Sequence, residues 1–166
     1  MKSILWYQGE FGSQKGILVI DGKRCTSDDA VRYNEAFDIL MQGRLWPGSK
    51  LERLIRYSKS DAGAQVAIRF NSATGGLFVQ SHFVNQDEQG RSLAFMFYLK
   101  AFSSVDEVRH SLLEAANVAG KTVSDADMGK IVQLVAEYLK KNKNKYYLMA
   151  AAAMVILIVL IILCRN

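Results

Sequence analysis

The sequence predicts an α+β fold: an antiparallel sheet of about five strands packed by helices, then a long C-terminal helix continuing into a single transmembrane helix. Three observations predict it. Residues 65–99 alternate apolar and polar side chains in three successive runs, the period of half-buried strands. Four S/T-x-x-D/E signatures each precede apolar residues at helical spacing. Residues 146–164, YYLMAAAAMVILIVLIILC, run for 19 positions without charge, Gly or Pro. As a helix that run covers roughly 28 Å, close to the hydrocarbon thickness of a bilayer. The expected organisation is a domain over 1–120, an amphipathic basic stalk helix over 121–145, a span over 146–164 and a tail of 165–166.

In order, residues 4–7 and 17–20 are β-favouring runs joined by a Gly-containing loop, which predicts a hairpin. Asp21-Gly22 then turns the chain toward a helix capped by Thr26 and Asp29. That helix carries Ala30, Tyr33, Phe37, Leu40 and Met41 at helical spacing, and Gly43 is its natural stop. After a turn at Trp46-Pro47-Gly48, Ser49 and Glu52 cap a shorter helix that turns Leu51, Leu54 and Ile55 inward.

The three alternating runs predict a meander whose core face holds Val66, Ile68, Phe70, Leu77, Val79, Phe83, Leu93, Phe95, Phe97 and Leu99. The third run is apolar on both faces, so it is expected to be central or to have its second face covered. Ser104 and Glu107 cap the next helix, with Val105, Val108, Leu112 and Ala115 on one side, and Gly120 ends it. Ser124 and Asp127 open the last. Its stripe of Met128, Ile131, Val132, Val135 and Leu139 leads into the apolar run, and only Gly129 disfavours one uninterrupted helix of about 60 Å.

The net charge of +5 belongs to residues 140–166, which hold four Lys, one Arg and no acid. The rest balances at 16 basic and 16 acidic residues. A neutral domain lacks the electrostatic footprint of a nucleic-acid binder, so no nucleic-acid partner is expected. Lys140, Lys141, Lys143 and Lys145 flank the apolar run on one side only. The positive-inside rule then puts the N-terminal domain in the cytosol, at the inner or plasma membrane if the chain is bacterial, with the lysines meeting lipid headgroups. The first residues, MKSILWYQGEFG, lack the long apolar stretch of a signal peptide. Cys25 and Cys164 fall on opposite sides of the expected bilayer. No disulfide, zinc site or cofactor is therefore called for.

Five cations, Arg44, Lys50, Arg53, Arg56 and Lys59, are dense in an otherwise neutral domain. On a helix starting near Ser49, Arg53 and Arg56 share a face with Lys59 beyond. They are candidates for an anionic small signal or lipid headgroups, against the plainer reading of a solvated helix face. The sheet face opposite the core, with Arg69, Gln80, His82, Met96 and Tyr98, mixes apolar bodies with polar tips as recognition surfaces do. The plainer reading there is that another layer covers it. His82 and His110 have no neighbouring nucleophile or acid at an activating spacing. Gly9, Gly12 and Gly16 lack the Gly-Lys-Ser/Thr of a phosphate loop, and residues 87–91 lack the alternating oxygens of a calcium loop. Within the apolar run, Ala150, Ala151, Ala152 and Ala153 let helices approach closely.

The element order resembles the longin or profilin-like order of two strands, a helix, three strands and closing helices found in some tail-anchored trafficking proteins. The coiled-coil motif those proteins place before the anchor is missing. The leading expectation is a non-enzymatic single-pass protein whose domain senses a signal or partner, oligomerises and acts on the membrane through its last helix. That layout is similar to the membrane effectors of bacterial immune systems, which implies a part in antiviral defence. A tail-anchored scaffold or adaptor that recruits proteins through a longin-like domain is the alternative. A membrane-tethered enzyme comes third, for want of a nucleophile–base pair.

Overall fold

The computed structural model describes residues 1–7, 16–26, 29–43, 56–59, 64–70, 76–84 and 91–165. Ten elements follow one another there. They are β1 (Ser3–Tyr7), β2 (Ile17–Ile20), β3 (Lys23–Cys25), α1 (Ala30–Gly43), β4 (Arg56–Lys59), β5 (Ala64–Phe70), β6 (Leu77–Val84), β7 (Arg91–Leu99), α2 (Val105–Ala119) and α3 (Asp125–Arg165). The strands form one antiparallel sheet in the order β3-β2-β1-β7-β6-β5-β4. The strand that is apolar on both faces, β7, takes the middle place.

Two strands differ from the sequence expectation. Asp21-Gly22 is the tight turn of a second hairpin, since Ile20 pairs with Lys23 and both turn residues have positive φ, 50° and 73°. This is the twist-matched two-residue turn for which Asp-Gly is suited. The cap of α1 accordingly moves downstream to Asp29, whose carboxylate accepts from Arg32 N–H at 3.2 Å. Residues 56–59, expected on a helix, are β4, paired with β5 from Arg56 opposite Ile68 to Lys59 opposite Gln65. A sheet edge offers a whole row of backbone partners, and that outweighs weak local helix preference. The expected helix at 49–55 lies outside the described residues.

Register assigns the side chains to two faces. Opposite residues on neighbouring strands share a face, so Val19, Leu5, Phe97, Val79 and Ile68 form one transverse row. Ile20, Ile4, Tyr98 and Phe78 form a row on the other face. The first face contains the expected core: Val66, Ile68, Leu77, Val79, Phe95 and Phe97 are buried. Phe70 is only partly buried, and the side chain of Phe83 lies outside the described set. The ladder slips by one residue between Ser81 and His82, so Leu93 pairs with His82, and the side chain of Leu93 lies outside the described set.

α2 packs against β1, β2, β3 and β7. Ser104 caps it by accepting from Glu107 N–H, and Gly120 ends it in the left-handed conformation at φ 66°. Its Val108, Leu112, Ala115, Ala116 and Ala119 are buried. The second face is covered too. α1 lies on β6 and β7, and Ala36 and Leu40 join Ile4, Leu18, Ile20, Phe78, Met96 and Tyr98 in a hydrophobic cluster.

The chain divides into two compact units, Met1–Leu134 and Val135–Asn166, and the division falls inside α3. α3 is continuous helix over its 41 residues. Among the described residues no helix is long and apolar enough to cross a membrane. Most side chains of 146–164 lie outside that set.

The end of α1 is the tightest point of the second face. A Cβ at Gly43 would collide with the Phe78 ring, which is itself buried. Ala gains about 1 kcal/mol of helix preference over Gly, but overpacking a filled site costs about 1–3 kcal/mol. Gly43→Ala should lower the denaturant midpoint of the full chain at unchanged slope, as read by near-UV circular dichroism.

Candidate functional site

The structure separates the residues that the sequence groups. Of the cation cluster, Arg44, Lys50 and Arg53 lie outside the described residues, while Arg56 and Lys59 stand three apart on β4. They belong to a strand, so the helical spacing that would bring Arg56 beside Arg53 does not apply. Of the candidate recognition face, Gln80, Met96 and Tyr98 are buried beneath α1 and Arg69 is partly buried. Its polar members seat the helix. Arg69 Nη1 donates to Gln42 O at 2.8 Å, and its guanidinium lies 5.4 Å from the Phe78 ring centroid. Gln80 Nε2 donates to Gly43 O at 3.5 Å. These bonds go to carbonyls at the end of α1, where a helix has no partners of its own and favours positive charge.

His82 faces Gln65 and Leu93 by register, and its side chain lies outside the described set. His110 is exposed on α2. The loops with Gly9, Gly12 and residues 87–90 are outside the described residues. Lys140, Lys141 and Ala153 are exposed on α3, and the side chains of Lys143, Lys145 and Ala150–152 are not among those described. Among the described residues no cluster of His, Cys, Asp or Glu could hold a metal ion.

Two places gather polar chemistry that the sequence does not advertise. The first is an open cleft of about 950 Å³ at the end of β1 and β7, lined by Lys2, Lys100, Asp21, Glu107, Ser111 and Glu114 among others. Lys100 N–H donates to Lys2 O at 2.8 Å, which sets the two lysines side by side on one wall. Glu107, Ser111 and Glu114 recur at helical spacing on α2 and share a face. Asp21 ties the floor together. Burial pushes its carboxyl up, but the Ser3 and Lys2 amides and nearby positive charge leave it below the ordinary value. Hydrogen bonds from the Ser103 amide and hydroxyl hold Glu107 low as well. Among the described residues Lys2, Lys100 and Glu114 form no ion pair, so both signs of charge are available to a ligand.

The second place is where α3 begins. Ser124 accepts from Asp127 N–H at 3.1 Å, as an N-cap does. The Asp127 side chain, 8% exposed, turns to the sheet instead of back to the cap. Its Oδ2 accepts from Ser81 Oγ at 3.3 Å, and Oδ1 has no partner. On the same face the Tyr7 hydroxyl is likewise buried without a partner. Tyr7, Phe95 and Ser81 lie abreast on β1, β7 and β6. Burial first, and the Asp127 charge second, push the Tyr7 phenol up to about 12. One signal for this place was present in the sequence: Ser81 is a hydroxyl in the row that Leu77 and Val79 otherwise make apolar. Ser81 is 1% exposed, so it presents no nucleophile to a substrate.

No family model, curated protein or solved structure matches the chain. The likeness to longin-like domains therefore stays one of element order, and β3 and β4 are additions to that order.

The Tyr7 phenol titrates at 10 in a free chain and at about 12 here. Its contribution to stability is therefore complete below pH 10 and is lost as pH rises toward 12. Thermal midpoints of the full chain should fall across that interval. Tyr7→Phe should flatten the fall, leaving the smaller part due to Tyr98, whose phenol burial also raises.

Proposed function

We propose that the chain is a non-enzymatic, single-pass membrane protein whose N-terminal domain receives a signal or partner, self-associates and acts on the bilayer through α3. The observation that carries this reading is the single helix from Asp125 to Arg165. Its first turns bury Ile131 and Leu134, Lys140 and Lys141 are exposed further along, and its last part is the uncharged run 146–164. Residues 130–165 contain no Gly or Pro, so the sequence places no flexible linker there.

The apolar part of α3 supports a lipid or helical surrounding. Ala153 is exposed, and Met154, Val155 and Ile156 are 64%, 60% and 62% exposed. Successive helical residues point about 100° apart, so four exposed in a row leave most of the circumference uncovered. An amphipathic helix lying on a protein buries at least one of four such positions. Lipid tails and neighbouring copies of the same helix both supply apolar cover, and Ala150–153 permit the close approach of copies. The lysines before the run favour a cytosolic domain. A protein adaptor is the second reading, and the cleft favours it. Unpaired lysines facing a Glu107/Ser111/Glu114 stripe suit a partner segment bearing both signs of charge.

Two measurements test the first reading. In vesicles of phosphatidylcholine and phosphatidylglycerol, Ala151→Leu/Ala152→Leu should keep insertion but weaken crosslinked oligomers; monomer alone in the parent chain would favour the adaptor. Insertion of Gly-Ser repeats after Lys140 should spare insertion and folding yet abolish dye release. Full release by that variant would leave α3 as an anchor only.

A further inference from the structure

A complete capping box has two halves: the hydroxyl at the cap accepts from the third helical amide, and the acid three residues on reaches back to the cap. At the start of α3 only the first half is made. Ser124 takes the Asp127 amide, while the Asp127 carboxylate is committed to Ser81 on β6. The Ser124 amide is the local partner that a capping box would give that carboxylate, and Oδ1 is buried without any. Leaving a buried carboxylate oxygen unsatisfied forfeits hydration without replacement, so this position of the helix start is held under a penalty. The Tyr7 hydroxyl adds a second one, because it is a buried donor without an acceptor, near enough to feel the Asp127 charge.

We propose that the first turns of α3 form a two-position latch, in which the Asp127 carboxylate exchanges the Ser81 hydroxyl for the Ser124 amide. In the docked position the carboxylate ties the helix to the sheet through one 3.3 Å bond. In the released position it completes the cap, regains water, and lets residues 125–134 leave β6 while the helix itself stays intact. The two states exchange one hydrogen bond for another, so the polar part of the transition is close to balance. The apolar contacts of Ile131 and Leu134 oppose release, so the docked state is the resting one.

The latch deepens the membrane-effector reading by naming the movement that would reach the bilayer, and its consequence for signalling rests on that reading. The movement itself is measurable without any membrane activity. Hydrogen–deuterium exchange of the full chain should show residues 128–134 opening more readily than α2. Ser81→Ala removes the docked partner and keeps the capping one. It should speed exchange at 128–134 by about tenfold, the factor expected for about 1.4 kcal/mol, with α2 unchanged. Tyr7→Phe deletes the donor that is buried without an acceptor beside Asp127, and should slow exchange in the same peptide. Unchanged exchange in Ser81→Ala, or equal acceleration throughout α2 and 128–134, would overturn the latch. Loss of dye release in an otherwise normal latch would overturn only the membrane reading.

Discussion

Everything in the domain follows from a central strand that is apolar on both sides. Phe95, Phe97 and Leu99 of β7 require one covering layer, and Met96 and Tyr98 require another. A single layer of helices cannot satisfy both. The chain answers with α1 against one face and α2 against the other, and it supplies further strands on either side until β7 has no exposed edge. The short, charged β3 and β4 then take the edges, where Lys and Arg discourage further pairing.

Covering both faces makes each helix terminus a chemical problem, because terminal backbone groups near a core lack water. Three of those ends are met in different ways. Gly120 accepts a left-handed turn so that its own amide reaches the carbonyls of Ala116 and Asn117. α1 has no such residue, and the sheet lends it Arg69 and Gln80. α3 begins on a cap whose acid has been drawn away to Ser81. The first two arrangements satisfy the groups involved. The third leaves a carboxylate oxygen over, which marks the start of α3 as the least settled junction of the domain.

What was legible in the sequence is what local rules control. The alternation in 66–99 fixes strands because the pleat has a period of two, and the Ser104 and Gly120 caps are satisfied within a few residues of themselves. Continuity of α3 is local too, since nothing in it breaks a helix. The errors lie where a partner distant in sequence decides. RYSK has no intrinsic reason to be a strand, and becomes one because β5 offers an edge. KRC was masked by its charges, although Asp21-Gly22 announced the hairpin that contains it. Arg69 and Gln80 looked like a recognition face because polar tips on a strand read as solvent-facing. Their true partners are the carbonyls of a helix that periodicity places nowhere in space. The same applies to Asp127, which reads as an ordinary capping acid until Ser81 is set beside it.

The pairing of β1 with β7 has a kinetic side. Ser3 sits opposite Leu99, so the sheet joins the first segment of the domain to one of its last. Contacts so distant in sequence demand loop-closure entropy before they return any stabilisation. A chain emerging from the ribosome holds the β1–β2 hairpin with a bare apolar edge until 91–99 has been made. During that interval Ile4 and Leu5, the least exposed residues of β1, are open to chaperones and to neighbouring chains. The apolar run 146–164 is synthesised after every strand of the sheet. The order of the chain thus gives β7 time to cover the edge of β1 before the longest apolar segment appears.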